Sequence, residues 1–111
     1  MKDFLYIGHY VDTDGNYILK IGTTNDLEVR QSQHTRYYAK AKNHPMAEGT
    51  QFAFDWYLPL SRANTHRYEE SIKELWKQAN FGVHIRNDRF CFAEKPEVVY
   101  ITIRKTYEGA L

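Results

Sequence analysis

The chain has 111 residues, 42% apolar and 15% aromatic, with 26% charged residues and a formal net charge of +1. That composition suits one small folded domain over residues 1–111 and excludes both a disordered chain and a second core. The single cysteine, Cys91, excludes an internal disulfide framework and any CxxC zinc site, which points to a reducing compartment, the cytoplasm. The N-terminal MKDFLYIGHY meets glycine, histidine and charge too early for a signal peptide, and no run approaches the ~18 apolar residues of a span, so no membrane partner is expected.

Phe4 to Val11 and Tyr17 to Ile21 read as strands, rich in aromatic and β-branched residues. The intervening DTDGN carries an Asp-Gly turn signal, so the pair is an antiparallel hairpin. Asn25 or Asp26 can cap a helix by accepting from a free backbone N–H, and that helix is expected to run to about Ala39. Lys40 to Thr50, with Pro45 and Gly49, reads as a loop and as the least ordered interior segment. Gln51 to Leu60 reads as a third strand. Ala63 to Ala79 reads as an amphipathic helix, with Tyr68, Ile72, Leu75 and Trp76 on one face. Phe81 to Phe92 reads as a loop with a short strand over Arg89 to Phe92. VVYITI has strand composition, but Pro96 and Glu97 suit a helix start and Gly109 its end, so a C-terminal helix is preferred. The expected class is α+β: a short central antiparallel sheet flanked by helices, in the order ββαβα followed by an edge strand and a terminal helix.

The polar groups of YILKIGTTNDLEVRQSQH fall at telling intervals. Arg30 lies eight residues after Gly22 and His34 twelve. On a helix starting near Asp26, Arg30 and His34 are i, i+4 neighbours, so a guanidinium and an imidazole project together beside the strand end as a candidate anion site. From Arg30 to Ala47 there are four Lys/Arg (Arg30, Arg36, Lys40, Lys42), two histidines and no acid, with Tyr37 and Tyr38 interleaved. Cations for phosphates beside aromatic faces for bases suit a nucleic-acid surface, and Arg36, Lys40 and Lys42 are its candidate contacts. The same composition also describes a solvated helix face running into a loop. A phosphodiester site using one divalent metal needs a hard oxygen ligand as well. Glu69, beside the apolar stripe of the second helix, is the candidate. Singly, each residue has an ordinary reading: Arg30 and His34 as surface groups, Glu69 as half of an intrahelical pair with Lys73.

Together, FLYIGHY and LKIGTTNDLEVRQSQH resemble the two signature strands and first helix of the GIY-YIG nuclease superfamily, and especially its phage-type branch with a KIGxT second motif. QFAFDWYLPL is similar to that branch's third strand, RYEESIKELW to its Glu-bearing helix, and DRFCFAEKPEVV to its closing strand and last helix. The resemblance implies a small GIY-YIG-like domain acting as a metal-dependent endonuclease on DNA phosphodiester bonds, with Mg²⁺ or Mn²⁺ as cofactor. Carried over, Tyr6 would align or activate the water and Gly22 would allow a tight backbone approach. Arg30 would stabilise the transition state, His34 would assist by hydrogen bonding or proton transfer, and Glu69 would hold the metal. Lys20 stands where the family's second-motif tyrosine would be; it could act as a base once desolvated, or contact phosphate. This substitution motivates the alternative of a catalytically weak or inactive nucleic-acid-binding module. Gly8-His9-Tyr10 also reads literally like the first motif, leaving Tyr10 as the alternative to Tyr6. The family's late asparagine has two candidates, Asn80 and Asn87. By fold-level analogy a homodimer would serve a double-strand break.

Overall fold

The computed structural model describes residues 2–78, 82–86 and 89–93. The hairpin forms as expected: β1 (Lys2–Val11) pairs antiparallel with β2 (Tyr17–Thr24), and Gly15 takes φ +84° at the turn, where a side chain would be strained. Helix α1 (Leu27–Ala39) starts at Asp26, whose carboxylate accepts from the Val29 N–H at 3.1 Å. Strand β3 (Ala53–Ser61) leads directly into helix α2 (Arg62–Gln78). Two short strands follow, β4 (Val83–Arg86) and β5 (Arg89–Phe92).

The antiparallel sheet has the order β3-β1-β2-β5-β4. The expected strand over Arg89 to Phe92 is therefore present but is not an edge, because its backbone groups pair with β2 on one side and β4 on the other. The segment expected as a loop before it contains β4, which supplies that edge. The expected C-terminal helix from Pro96, and both candidate asparagines Asn80 and Asn87, lie outside the described residues.

Strand alternation divides the core into two. Leu5, Ile7, Leu19 and Ile21 point to one face, where Ile72 and Trp76 of α2 cover them and Trp76 meets Phe90 edge-on at 5.0 Å. Tyr6, Tyr10 and Ile18 point to the other face, with Tyr38 of α1, Met46 and Phe52. Strand β3 serves both cores. Ile7 faces Trp56 while Gly8 faces Phe54, so Asp55 is an extra residue at this step. The bulge inverts the side-chain parity: Phe54 packs with Tyr6 on the α1 face and Trp56 with the α2 core.

The segment 40–50, expected to be the least ordered, is tied to the hairpin and to α1. Met46 donates to the Tyr38 carbonyl, Ala47 to that of Val11, and Thr13 to that of Pro45, at 2.9, 2.8 and 3.1 Å. Asp12, buried at the end of β1, organises this corner. Its carboxylate accepts from the N–H groups of Asp14 and Asn16 at 3.0 and 2.8 Å and lies 2.9 Å from His44 Nδ1. Burial alone would raise its pKa, but the hydrogen bonds from His44, Asn16 and Asp14 outweigh burial and hold it below the ordinary carboxylate value.

A depressed folded pKa stabilises above the unfolded value near 3.9 and is lost as pH falls through the folded one. Asp12→Asn is therefore expected to cost about 1–3 kcal/mol near neutrality. In denaturant titrations, the gap between wild type and the variant should narrow below about pH 4. A gap independent of pH would contradict this assignment.

Candidate functional site

The geometry of the α1 face begins with register. Tyr6 on β1 stands opposite Gly22 on β2, and both point toward α1. A Cβ at Gly22 would sit 2.6 Å from the Tyr6 hydroxyl oxygen and 2.8 Å from its Cζ, so the absent side chain is the space the phenol occupies. From there the Tyr6 hydroxyl reaches His34 Nε2 at 2.7 Å, in a buried hydrogen bond between groups 28 residues apart. Tyr10, the other first-motif candidate, is engaged elsewhere: its hydroxyl donates to the His44 carbonyl at 2.8 Å and accepts from Arg89 at 3.0 Å.

Helix α1 has few apolar residues to bury. It is held largely by polar and aromatic groups. Gln31 Nε2 donates to the Phe52 carbonyl at 2.8 Å, and Thr35 Oγ1 accepts from the Phe52 N–H at 3.1 Å. His34 stacks on Tyr38 at 5.3 Å and Tyr38 on Tyr10 at 4.7 Å. The i, i+4, i+8 stripe of Arg30, His34 and Tyr38 thus faces the sheet, as the spacing predicts.

Lys20, Arg30, Gln33, His34, Tyr37 and Tyr38 line a cleft of about 380 Å³. Lys20 is only 8% exposed, on the same strand face as Gly22. The Arg30 Nε is buried and has no hydrogen-bond partner among the described residues. A buried guanidinium N–H left without an acceptor is costly, and an anion seated in the cleft would satisfy it. The structure therefore brings Tyr6, Lys20, Gly22, Arg30 and His34 together. Arg36, Lys40 and Lys42 line an adjoining cleft of about 480 Å³ with Tyr37, Asn43 and Arg89.

Glu69 stands apart from this group. With Thr65, Ile72 and Trp76 it follows the i, i+4, i+7, i+11 stripe by which α2 packs on the opposite face of the sheet. Its carboxylate lies 3.4 Å from the Lys73 ammonium, which Glu70 also approaches at 2.9 Å. Burial lowers the Lys73 pKa, but the two carboxylates outweigh it and leave the value raised. Among the described residues, the cleft around Arg30 is lined by two cations and no carboxylate, and no group of three or more His, Cys, Asp or Glu could hold a metal. The described side chains of the cleft supply no anionic oxygen to a divalent cation.

Arg89 is the residue that sequence reasoning passed over. Phe90 and Phe92 pack on the α2 side, so alternation alone assigns Arg89 and Cys91 to the α1 face. That β5 docks beside β2, with Arg89 directly across from Lys20, is a long-range pairing with no local signal.

The steric relation at Gly22 is testable. Gly22→Ala should push the Tyr6 hydroxyl off His34, so that the His34 ¹⁵Nε2 resonance moves as it does in Tyr6→Phe. A resonance unchanged from wild type would contradict the contact.

The family model of the T5orf172 domain matches residues 3–107. No curated protein and no solved structure matches the chain. No helix among the described residues is long and apolar enough to cross a membrane.

Proposed function

The chain belongs to the T5orf172 domain family, phage-associated and related to nuclease-like folds, and on that premise we propose that its α1 face binds the nucleic-acid phosphodiester and hydrolyses it, as a DNA endonuclease of GIY-YIG type. The observation that carries the proposal is the buried Tyr6–His34 hydrogen bond beside a cleft lined by Lys20 and Arg30.

In this reading Arg30 and Lys20 neutralise the non-bridging oxygens, and the planar Arg30 fork meets the charge that grows on them as the phosphorane forms. Water attacks phosphorus. Its proton passes to the Tyr6–His34 pair, the bond to the leaving oxygen breaks, and that oxygen takes a proton from the Lys20 ammonium or solvent. Gly22 keeps the phenol within reach. Glu69 and a Mg²⁺ or Mn²⁺ ion belong to the proposal through the family resemblance alone; such an ion would supply Lewis-acid stabilisation, and no step here is routed through it.

A second reading, nucleic-acid binding without cleavage, is favoured by the cleft's lining, among the described residues, of cations without a carboxylate. Plasmid cleavage with Mg²⁺ or Mn²⁺ separates the two. Endonuclease action predicts nicking by wild type that falls roughly 10²–10³-fold in Arg30→Ala, the usual cost of one transition-state donor. Activity lost in Glu69→Gln would bring that carboxylate into the reaction despite its place on the other face. If wild type leaves DNA and RNA intact yet binds them in a salt-dependent way, the binding module is the function. Neutralising Arg36, Lys40 and Lys42 together should then lower the slope of log K against log salt by about one per residue. Binding indifferent to salt would contradict both readings.

A further inference from the structure

Tyr37 is 65% exposed although it is a large aromatic residue, and it lines both the cleft containing Lys20 and Arg30 and the adjoining basic cleft of Arg36, Lys40, Lys42 and Arg89. Its ring meets Tyr38 edge-on, at 5.2 Å between centroids and 84° between planes. Tyr38 is itself fixed in a stack with His34 and Tyr10 and lies under the Arg89 guanidinium at 5.2 Å. Tyr37 therefore rests on a rigid support. Among the described residues, the Tyr37 ring makes one ring contact, to Tyr38, and leaves most of its surface to solvent.

The cations beneath it form a continuous track. Lys20 and Arg89 are direct cross-strand partners, each 8% exposed, and like charges placed opposite one another oppose folding. Arg89 is engaged by the Tyr10 hydroxyl and the Tyr38 ring, and an anionic backbone lying across both cations would be attracted by each. The track runs from Arg30 through Lys20 to Arg89 and on to Arg36, Lys40 and Lys42, and Tyr37 stands at the junction of the two clefts.

We propose that Tyr37 is a stacking platform for a nucleobase next to the phosphate held by Lys20 and Arg30, so that the strand bound on this face is single-stranded or locally unpaired. A base inside a duplex has both faces covered by its neighbours, whereas an unpaired base offers a free face to an aromatic ring. The proposal rests on the reading of the α1 face as a phosphodiester site and adds the substrate class to it.

The experiment compares, by fluorescence anisotropy, a labelled single-stranded oligonucleotide, its duplex, and a strand of equal length and charge made of abasic units. Wild type should bind the single strand more tightly than the abasic strand by on the order of tenfold to a hundredfold, the range of one base–aromatic stack. Tyr37→Ala should abolish that preference while leaving abasic-strand affinity and the salt slope unchanged, and Tyr37→Phe should restore it. Thermal unfolding of the three proteins should coincide, since the ring is largely solvent-exposed. If wild type binds base-bearing and abasic strands equally, or if Tyr37→Ala weakens duplex and single strand alike, the platform is overturned while the phosphate site stands. If wild type binds none of the three, the phosphate site and the platform fall together.

Discussion

The Tyr6 hydroxyl and His34 Nε2 can meet only because Gly22 has no side chain. Three elements must agree for that contact: the β1–β2 register that sets Tyr6 across from Gly22, the cap at Asp26 that phases α1, and the polar anchors from Gln31 and Thr35 to Phe52. A slip of one residue in the hairpin would turn Tyr6 into the α2 core and leave His34 buried without its partner. The hairpin turn and its Asp12 corner therefore serve the site as well as the fold, because they hold the register from which the contact follows. Asp12 does so from a distance: it accepts from the turn, and its contact with His44 Nδ1 also pins the segment that carries Met46 under Tyr38.

The two faces of the sheet divide the work. The α2 face is an aliphatic and tryptophan core of ordinary kind, stabilised by removal of apolar area from water. The α1 face is built from tyrosines, a histidine and buried cations, and its helix is fastened by side-chain hydrogen bonds to backbone. Such a face gives up some burial energy and gains directional groups around a cleft. The bulge at Asp55 lets one strand contribute to both, passing Phe54 to the tyrosine side and Trp56 to the tryptophan core. Charge follows the same division. Lys20, Arg30 and Arg89 gather on the α1 side, while Glu69 is neutralised by Lys73 on the α2 side.

Much of the hairpin and of α1 was legible because their signals are local: the Asp-Gly turn, the Asp26 cap, and the i, i+4 spacing of Arg30 and His34. The closeness of Glu69 to the apolar stripe of α2 was legible too, since helical periodicity fixes it. Which side of the sheet α2 would cover was not, because that depends on how the chain leaves β3, where the bulge had already inverted the side-chain parity. The place of β5 was hidden for a similar reason. Its four residues carry an alternation but no indication that they pair with β2, and so Arg89 gave no sign of joining Lys20. Segment 40–50 read as loose from its proline and glycine, whereas its order comes from a bond back to Tyr38 of α1 and from bonds to hairpin residues more than thirty positions away.

The proposed function seats a phosphodiester on the α1 face, with Arg30 as one of its ligands. The most direct measurement follows the Arg30 Nε–H resonance by NMR while a short DNA oligonucleotide is titrated without metal. A buried donor that gains a phosphate acceptor should shift downfield and exchange more slowly with water, together with shifts along α1, while the backbone of α2 around Glu69 stays unmoved. An Arg30 resonance that does not respond at saturating DNA, or shifts centred on α2, would contradict the claim.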